Sequence, residues 1–129
     1  FFMKDKRLFA IRGATTSENT AESIRLAVEE MCREIFMLNS VKAQDIVSVQ
    51  FTMTPDLDEL NPAAALRKSD TGLDTSKIAL FAMPELYIKG MPPKTIRVLV
   101  TTYLDCDAAV KPVYLNGAKS LRPEFALGN

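Results

Sequence analysis

Three charged side chains lie in or directly beside apolar, strand-like segments of the chain. Arg12 and Glu85 each follow an apolar run, and Arg97 lies inside one. Rigid elements place side chains more accurately than loops do. A guanidinium is a planar fork of N–H donors that matches a carboxylate, and an ionised glutamate accepts hydrogen bonds from a hydroxyl. The set therefore predicts a clamp for a small dicarboxylate that also carries a hydroxyl group.

A simpler interpretation exists for each of these residues. Glu85 and Arg97 would also fit a structural ion pair at a strand end, and Arg12 would also fit a solvated surface arginine. The residue types nevertheless restrict the chemistry, because histidine is absent and no nucleophile is accompanied by a general base. Triads that depend on histidine, and ordinary histidine metal sites, are excluded. A reaction that needs positioning and electrostatic stabilisation alone suits the set.

Composition favours an ordinary globular protein with one domain over residues 1–129. The 16 basic and 16 acidic residues cancel, so no net field draws the chain to nucleic acid or to an anionic membrane. Apolar runs fall short of the ~20 residues of a membrane span, and we expect a cytoplasmic protein. Residues 1–5 are expected to be disordered or foreign to the native chain, and residues 123–129 to form a tail. Cys32 and Cys106 are expected to be buried or half-buried free thiols, in preference to a disulfide.

Apolar periodicity predicts the elements that hold the charged residues. Strands are predicted at residues 7–11, 46–54, 78–85 and 96–104. A three-to-four spacing of apolar residues predicts one long helix that begins after an Asn19 N-cap. Pro62 opens a short helix that ends near Arg67. In residues 46–54, the apolar odd-numbered positions from Val47 to Met53 are expected to share one face of the strand, and Ser48, Gln50 and Thr52 the other.

The C-terminal part of the chain is less regular. Residues 113–115 and 118–121 are expected to form two short edge strands, or a hairpin around Asn116-Gly117. The order of the elements predicts an α/β or α+β fold, in which one long helix packs on a small mixed β-sheet.

Short motifs, in order and at nearly constant intervals, resemble the monofunctional, Bacillus-type chorismate mutases. They are IRGATT at 11–16, TPDL and PAxAxR at 54–67, MPE at 83–85, IRVLV at 96–100, VYL at 113–115 and LRP at 121–123. The resemblance extends over most of the chain. It implies an α/β domain that forms a homotrimer with a barrel-like core, and active sites between adjacent subunits. It also implies the Claisen-type rearrangement of chorismate to prephenate, toward phenylalanine and tyrosine, without cofactor or metal.

The same resemblance implies a role for each central residue. Arg97 matches the arginine that donates to the ether oxygen of the breaking C–O bond, and Arg12 matches one that holds a substrate carboxylate. Glu85 matches the acid that accepts from the ring hydroxyl. Tyr114 matches a tyrosine that contacts a carboxylate.

Further positions are implied to surround the substrate. Arg67 and Arg122 match peripheral arginines that attract substrate and order the tail. The other implied substrate-binding residues are Asn61, Ala63, Ala64, Phe81, Ala82 and Leu121. Three of these depart from the family pattern, since Asn61 replaces a phenylalanine, Ala64 a lysine and Ala82 a cysteine. Loss of an apolar wall and a cation is expected to weaken binding more than chemistry, which predicts a competent mutase with a looser cleft.

Two other functions fit part of the pattern. Small trimeric enamine deaminases of the RidA type have a similar fold and also bind a carboxylate with arginine, but the IRGATT and TPDL motifs argue against them. A non-catalytic protein that binds a small carboxylate is the second alternative, because a fold alone does not determine chemistry.

Overall fold

The protein, described over residues 5–125 by a computed structural model, has an α+β architecture built on one mixed sheet. The strands and helices in chain order are β1 (Lys6–Thr16), α1 (Ala21–Leu38), β2 (Ile46–Met53), α2 (Pro62–Arg67), β3 (Ala79–Pro84), β4 (Thr95–Asp105) and β5 (Val113–Tyr114). The strand order is β3-β2-β4-β1-β5. The β1–β4 and β2–β4 pairs are antiparallel, whereas the two outer pairs are parallel. The predicted mixed sheet with one long helix is confirmed.

The hydrophobic core lies between α1 and one face of the sheet. The apolar stripe of α1 supplies fully buried side chains such as Val28 and Ile35, and the strands supply Phe51 and Val100. Each such side chain contributes roughly 1.5–3 kcal/mol when it is fully buried. The short helix α2 joins the same layer through Leu66. We call this side of the sheet the covered face.

The opposite side of the sheet, called here the open face, carries no α-helix among the described residues, although the C-terminal 3-10 turns cover it around Ala14 and Tyr114. Side chains alternate along a strand, so residues next to buried positions point to the open face. These residues include Arg12 on β1, Thr52 on β2 and Arg97 on β4. Phe81 on β3 is 61% exposed. The open face thus combines charged, polar and large apolar side chains.

The first strand is longer than the sequence predicted. It pairs with β4 up to Thr16 instead of ending at Ile11, so Arg12 lies within a strand and not at a turn. Gly13 makes this path possible, because a Cβ atom there would lie 2.7 Å from Cδ1 of Ile35 on α1. The glycine therefore serves a close approach between strand and helix.

The N-cap of α1 was predicted one residue too early. Thr20 is the cap, and its hydroxyl accepts a hydrogen bond of 3.0 Å from the amide of Ser23. Asn19 instead accepts from the amides of Asp58 and Glu59, at 3.0 and 3.2 Å. A contact across about 40 residues of sequence thus determines which residue caps the helix.

Two further local predictions were wrong. Val47 is 47% exposed because a β-bulge between Ile46 and Ser48 reverses the alternation, and Ile46 takes the buried position. The edge strand expected at 113–115 is present as β5, but no second strand or hairpin forms around Asn116-Gly117, because Asn116–Leu121 is a 3-10 helix that returns the chain to the sheet. Ala118 in this turn is fully buried, and that burial favours the turn over an edge strand.

The termini lie partly outside the described residues, which start at Asp5 and end at Phe125. The expectations for residues 1–4 and 126–129 therefore fall outside the structure. Pro123–Phe125 forms one 3-10 turn, and the Asp5 carbonyl accepts from the amide of Cys106 at 3.0 Å. Within residues 5–125, no helix is long and apolar enough to cross a bilayer. Both cysteines are free thiols, and Cys32 is buried as predicted, whereas Cys106, just beyond the end of β4, is exposed and not half-buried.

Candidate functional site

A cavity of about 350 Å³ opens on the open face, and Arg12, Arg97 and Tyr114 line it. The sheet register explains why these three residues meet. Arg97 lies opposite Ala14 in the antiparallel β1–β4 pair, and Ala14 also lies beside Tyr114 in the parallel β1–β5 pair. Arg12 is two positions before Ala14 on the same face of β1, so three neighbouring strands contribute one side chain each.

Glu85 lines the neighbouring pocket and not this cavity, and it is linked to the cavity by its ion pair with Arg97. The amide of Glu85 donates to the carbonyl of Met53 at 3.1 Å, which fixes the backbone just beyond β3 against β2. Its Oε1 atom accepts a hydrogen bond of 3.1 Å from Nε of Arg97 and a further one from the Thr52 hydroxyl. The Glu85 side chain is 12% exposed and that of Arg97 42% exposed. The two charges are therefore paired, but the pair remains open to solvent on the arginine side.

The pairing leaves hydrogen-bonding capacity on both arginines. A guanidinium carries five N–H groups, and Glu85 takes only the Nε–H of Arg97. Within residues 5–125, Arg12 makes no hydrogen bond or ion pair, and neither Nη atom of Arg97 is bonded. Two cations opposed by one carboxylate give the cavity a net positive charge. The arrangement favours a ligand with carboxylate groups.

Tyr114 is held by the C-terminal segment. The residue is 4% exposed, and its ring stacks on that of Phe125, with ring centroids 6.2 Å apart. The Arg122 guanidinium lies over the Phe125 ring, 4.6 Å from its centroid, and donates a hydrogen bond of 3.0 Å to Glu124. Leu121 packs against the small cluster that contains Tyr114. Two predicted residues, Leu121 and Arg122, thus lie beside the tyrosine.

The α2 positions do not join this cavity. Asn61 caps the helix by accepting from the Ala63 amide at 2.8 Å, and Ala63 itself is buried in the core. Ala64 is half-buried, and Arg67 lies near the C-terminal end of α2 beside the loop over residues 69–76. Since α2 packs in the helical layer of the covered face, these four residues lie on the other side of the sheet from Arg12.

The two β3 positions also lie apart from the cavity. Phe81 projects from the open face beside Gln50 of β2. Ala82, the next residue, faces the opposite way and packs against the core. One chain therefore does not bring either residue against Tyr114.

Sequence reasoning did not assign several residues of the cavity lining to the site, among them Gln50, Thr52 and Met83. The polar alternation of residues 46–54 was the available signal for the first two, because it marked one face of β2 as polar. That signal became informative only with the register, which places Thr52 opposite Arg97.

A second pocket, of about 210 Å³, lies on the other side of the Glu85–Arg97 pair. The connection between β3 and β4 supplies its apolar lining, including Leu86, Ile88 and Met91. A largely apolar lining disfavours a dicarboxylate, because burial of an unpaired charge is costly. The carboxylate clamp therefore belongs to the cavity with Arg12. Within residues 5–125, no group of three or more His, Cys, Asp or Glu side chains is placed to hold a metal ion.

Comparison with known proteins identifies the family to which this site belongs. The family model for chorismate mutase type I matches residues 8–125. The chain is 33% identical over 119 residues to the chorismate mutase AroH of Bacillus subtilis, with 91% of each chain covered. It is 33% identical over 118 residues to chorismate mutase AroH of Thermus thermophilus, covering 89% of this chain and 93% of the relative. The chain belongs to the type I chorismate mutase family.

The solved structures agree with this assignment. A chorismate mutase from Clostridium thermocellum superimposes with a TM-score of 0.77 at 39% identity, covering 87% of this chain and 98% of that one. The predicted family, fold class and enzymatic activity are confirmed, and an enamine deaminase is not favoured. This chorismate mutase is an isomerase of aromatic amino-acid biosynthesis, and its substrate is chorismate.

Proposed function

We propose that chorismate rearranges to prephenate in the cavity lined by Arg12, Arg97 and Tyr114. The observation that carries this proposal is the convergence of two incompletely bonded guanidinium groups on one cavity of the open face. Chorismate is a dicarboxylate, so it complements the positive charge. The neighbouring apolar pocket offers no comparable clamp.

Arg97 is proposed to stabilise the transition state. The breaking C–O bond leaves negative charge on the ether oxygen, and the Nη groups of Arg97 are available as donors. A preorganised donor at such an oxygen contributes roughly 3–4 kcal/mol, as at an oxyanion hole. Because this charge develops only during the reaction, the interaction raises kcat more than it lowers KM.

Arg12, Tyr114 and Glu85 are proposed to hold the substrate in its compact reactive shape. Arg12 pairs with one substrate carboxylate, and Tyr114, which lies on the adjacent strand, also contacts a substrate carboxylate. Glu85 accepts from the ring hydroxyl with Oε2, which makes no hydrogen bond within residues 5–125, while Oε1 is taken by Arg97 and Thr52. Holding a flexible substrate in a near-attack geometry lowers the activation free energy, because the substrate is already ordered before the reaction. No cofactor or metal is part of the proposal.

The site is proposed to be shared between subunits of a homotrimer. The separation within one chain supports this, because Arg67 and Ala64 lie on the other side of the sheet from Arg12. Exposed large apolar side chains on the open face, such as Phe81 and Met83, also favour coverage by a second copy. Arg122 is then placed to order the tail over the cleft. A cytoplasmic location stays a prediction of the sequence.

The proposal is tested with two arginine variants of the same strand. Arg12→Ala removes a carboxylate partner on the open face, whereas Arg7→Ala removes an exposed arginine of β1 that lies over the Phe9 ring instead. Loss of a charge-assisted hydrogen bond predicts that kcat/KM falls about 10- to 100-fold for Arg12→Ala. Arg7→Ala is expected to stay near the wild type. Normal kinetics of Arg12→Ala, followed by loss of chorismate absorbance, would remove Arg12 from the site.

A further inference from the structure

We propose that Thr52 is a positioning residue, whose hydroxyl holds the Glu85 carboxylate so that the Nη groups of Arg97 stay open to the cavity. The inference rests on the proposed roles of Glu85 and Arg97. Thr52 belongs to none of the motifs that the family resemblance uses, and its hydroxyl donates to the Glu85 carboxylate.

The sheet places Thr52 between the two charged residues. It lies on β2, opposite Arg97 on one side and beside Met83 of β3 on the other. Glu85 follows Met83 by two residues, and its backbone is tied to β2 through the Met53 carbonyl. The Glu85 side chain therefore passes over Thr52 to reach Arg97, and Thr52 is the only β2 residue in the described chain that bonds to that carboxylate.

One carboxylate oxygen carries both contacts. Oε1 of Glu85 accepts from the Thr52 hydroxyl and from Nε of Arg97, whereas Oε2 makes no hydrogen bond within residues 5–125. Arginine–carboxylate pairs favour a geometry with two parallel hydrogen bonds, which uses both oxygens and one Nη group. The threonine donor holds the carboxylate in the single-oxygen contact. Its hydroxyl thereby keeps Oε2 available for a ligand hydroxyl and both Nη groups available for the ether oxygen.

Removal of the hydroxyl should therefore affect turnover more than substrate binding. Without the hydroxyl, Glu85 turns to form the two-bond contact with Arg97. One Nη group of Arg97 is then no longer available to donate to the ether oxygen in the transition state. Arg12 and Tyr114 are untouched, so the carboxylate contacts persist. We expect Thr52→Val to lower kcat about tenfold, with KM changed by less than about threefold.

Two substitutions at this position separate the hydroxyl from the shape of the side chain. Thr52→Val keeps the β-branched form that suits a strand, whereas Thr52→Ser keeps the hydroxyl and loses the methyl group. A purely structural role predicts that Val is harmless and Ser harmful. The positioning role predicts the reverse, with kcat of Thr52→Ser within about threefold of the wild type. Thr101→Val is the matched control, because Thr101 projects from the same face opposite Ser48.

Crystal structures of the wild type and of Thr52→Val give a readout that does not depend on catalysis. The variant is expected to show Glu85 bound to Arg97 through both oxygens. An unchanged single-oxygen contact, or a Thr52→Val enzyme with wild-type kcat, would overturn the inference. If the Arg97 variants turned out to be fully active, the proposed mechanism would fail, and the carboxylate geometry of Thr52→Val would still decide the role of Thr52.

Discussion

A chain that lacks Arg97 and a chain that carries Arg67→Glu should restore activity to each other if every site draws on two subunits. Arg97 lies on the open face of the sheet, and Arg67 lies at the C-terminal end of α2 on the covered face. In one chain these two side chains line different depressions. In the proposed trimer, a neighbouring copy would supply the Arg67 of each site.

The expected recovery follows from counting the combinations. A trimer made only of Arg97→Ala chains, or only of Arg67→Glu chains, contains a defect in every site. In a random mixture of equal amounts, a site is intact when its Arg97 half comes from an Arg67→Glu chain and its Arg67 half comes from an Arg97→Ala chain. Each condition holds with a probability of one half, so about a quarter of the sites in the unsorted mixture should regain wild-type turnover. In a closed trimer that contains both variants, one of the three sites is intact, so about a third of the sites should be active once the mixed assemblies are isolated.

The two variants are co-expressed in equal amounts, and mixed assemblies are isolated through two different affinity tags. Their activity is followed as loss of chorismate absorbance. A mixture of Arg12→Ala with Arg97→Ala is the control, because both residues line the same cavity of one chain and no intact site can form. Activity that stays at the level of the better parent would refute a shared site. A fully active Arg67→Glu trimer would remove Arg67 from the site.

Three further predictions concern binding and stability. Asn61→Phe should lower KM by restoring an apolar wall, and should cost about 1 kcal/mol of stability because the Ala63 amide loses its cap. Chorismate titration measures the first effect and thermal unfolding the second. An unchanged KM would contradict the looser cleft. Gly13→Ala should lower the free energy of unfolding by about 1–3 kcal/mol in denaturant titrations, since its Cβ meets α1, and an unchanged midpoint would contradict the close contact. Burial raises the pKa of the Cys32 thiol to about 12, so its contribution to stability is complete below the ordinary value of 9.0 and is lost as pH rises from there toward 12. A thiol reagent should modify exposed Cys106 in the folded protein and Cys32 only after unfolding, and rapid labelling of both would contradict this burial.

Much of the fold could be predicted from sequence because its signals are local. The apolar stripe of α1 and the period-two runs of β2 and β4 are visible within a few residues. Arg97 and Glu85 stood out for the same reason, since a charge within or beside an apolar run breaks the pattern. The family motifs then added what periodicity could not, namely the reaction.

The remaining features depend on contacts between distant segments. Thr20 caps α1 because Asn19 is engaged by the loop over residues 58–59. The bulge that exposes Val47 depends on the register with β4. The hydrogen bond from Thr52 to Glu85 joins residues 33 positions apart. Such partners follow only from the assembled sheet, so sequence patterns could name the polar face of β2 but not its role.

The turnover number of Arg97 variants tests the central claim most directly. A lysine ammonium is one compact charge that Glu85 would engage, so it cannot both keep that pair and donate to the ether oxygen. We predict that Arg97→Lys and Arg97→Ala each lower kcat by about 100- to 1,000-fold, the effect of losing one oxyanion-hole donor, with KM changed much less. The measurement is loss of chorismate absorbance at saturating substrate, beside the wild type and the spontaneous reaction. An Arg97→Ala enzyme with near wild-type kcat would contradict the account.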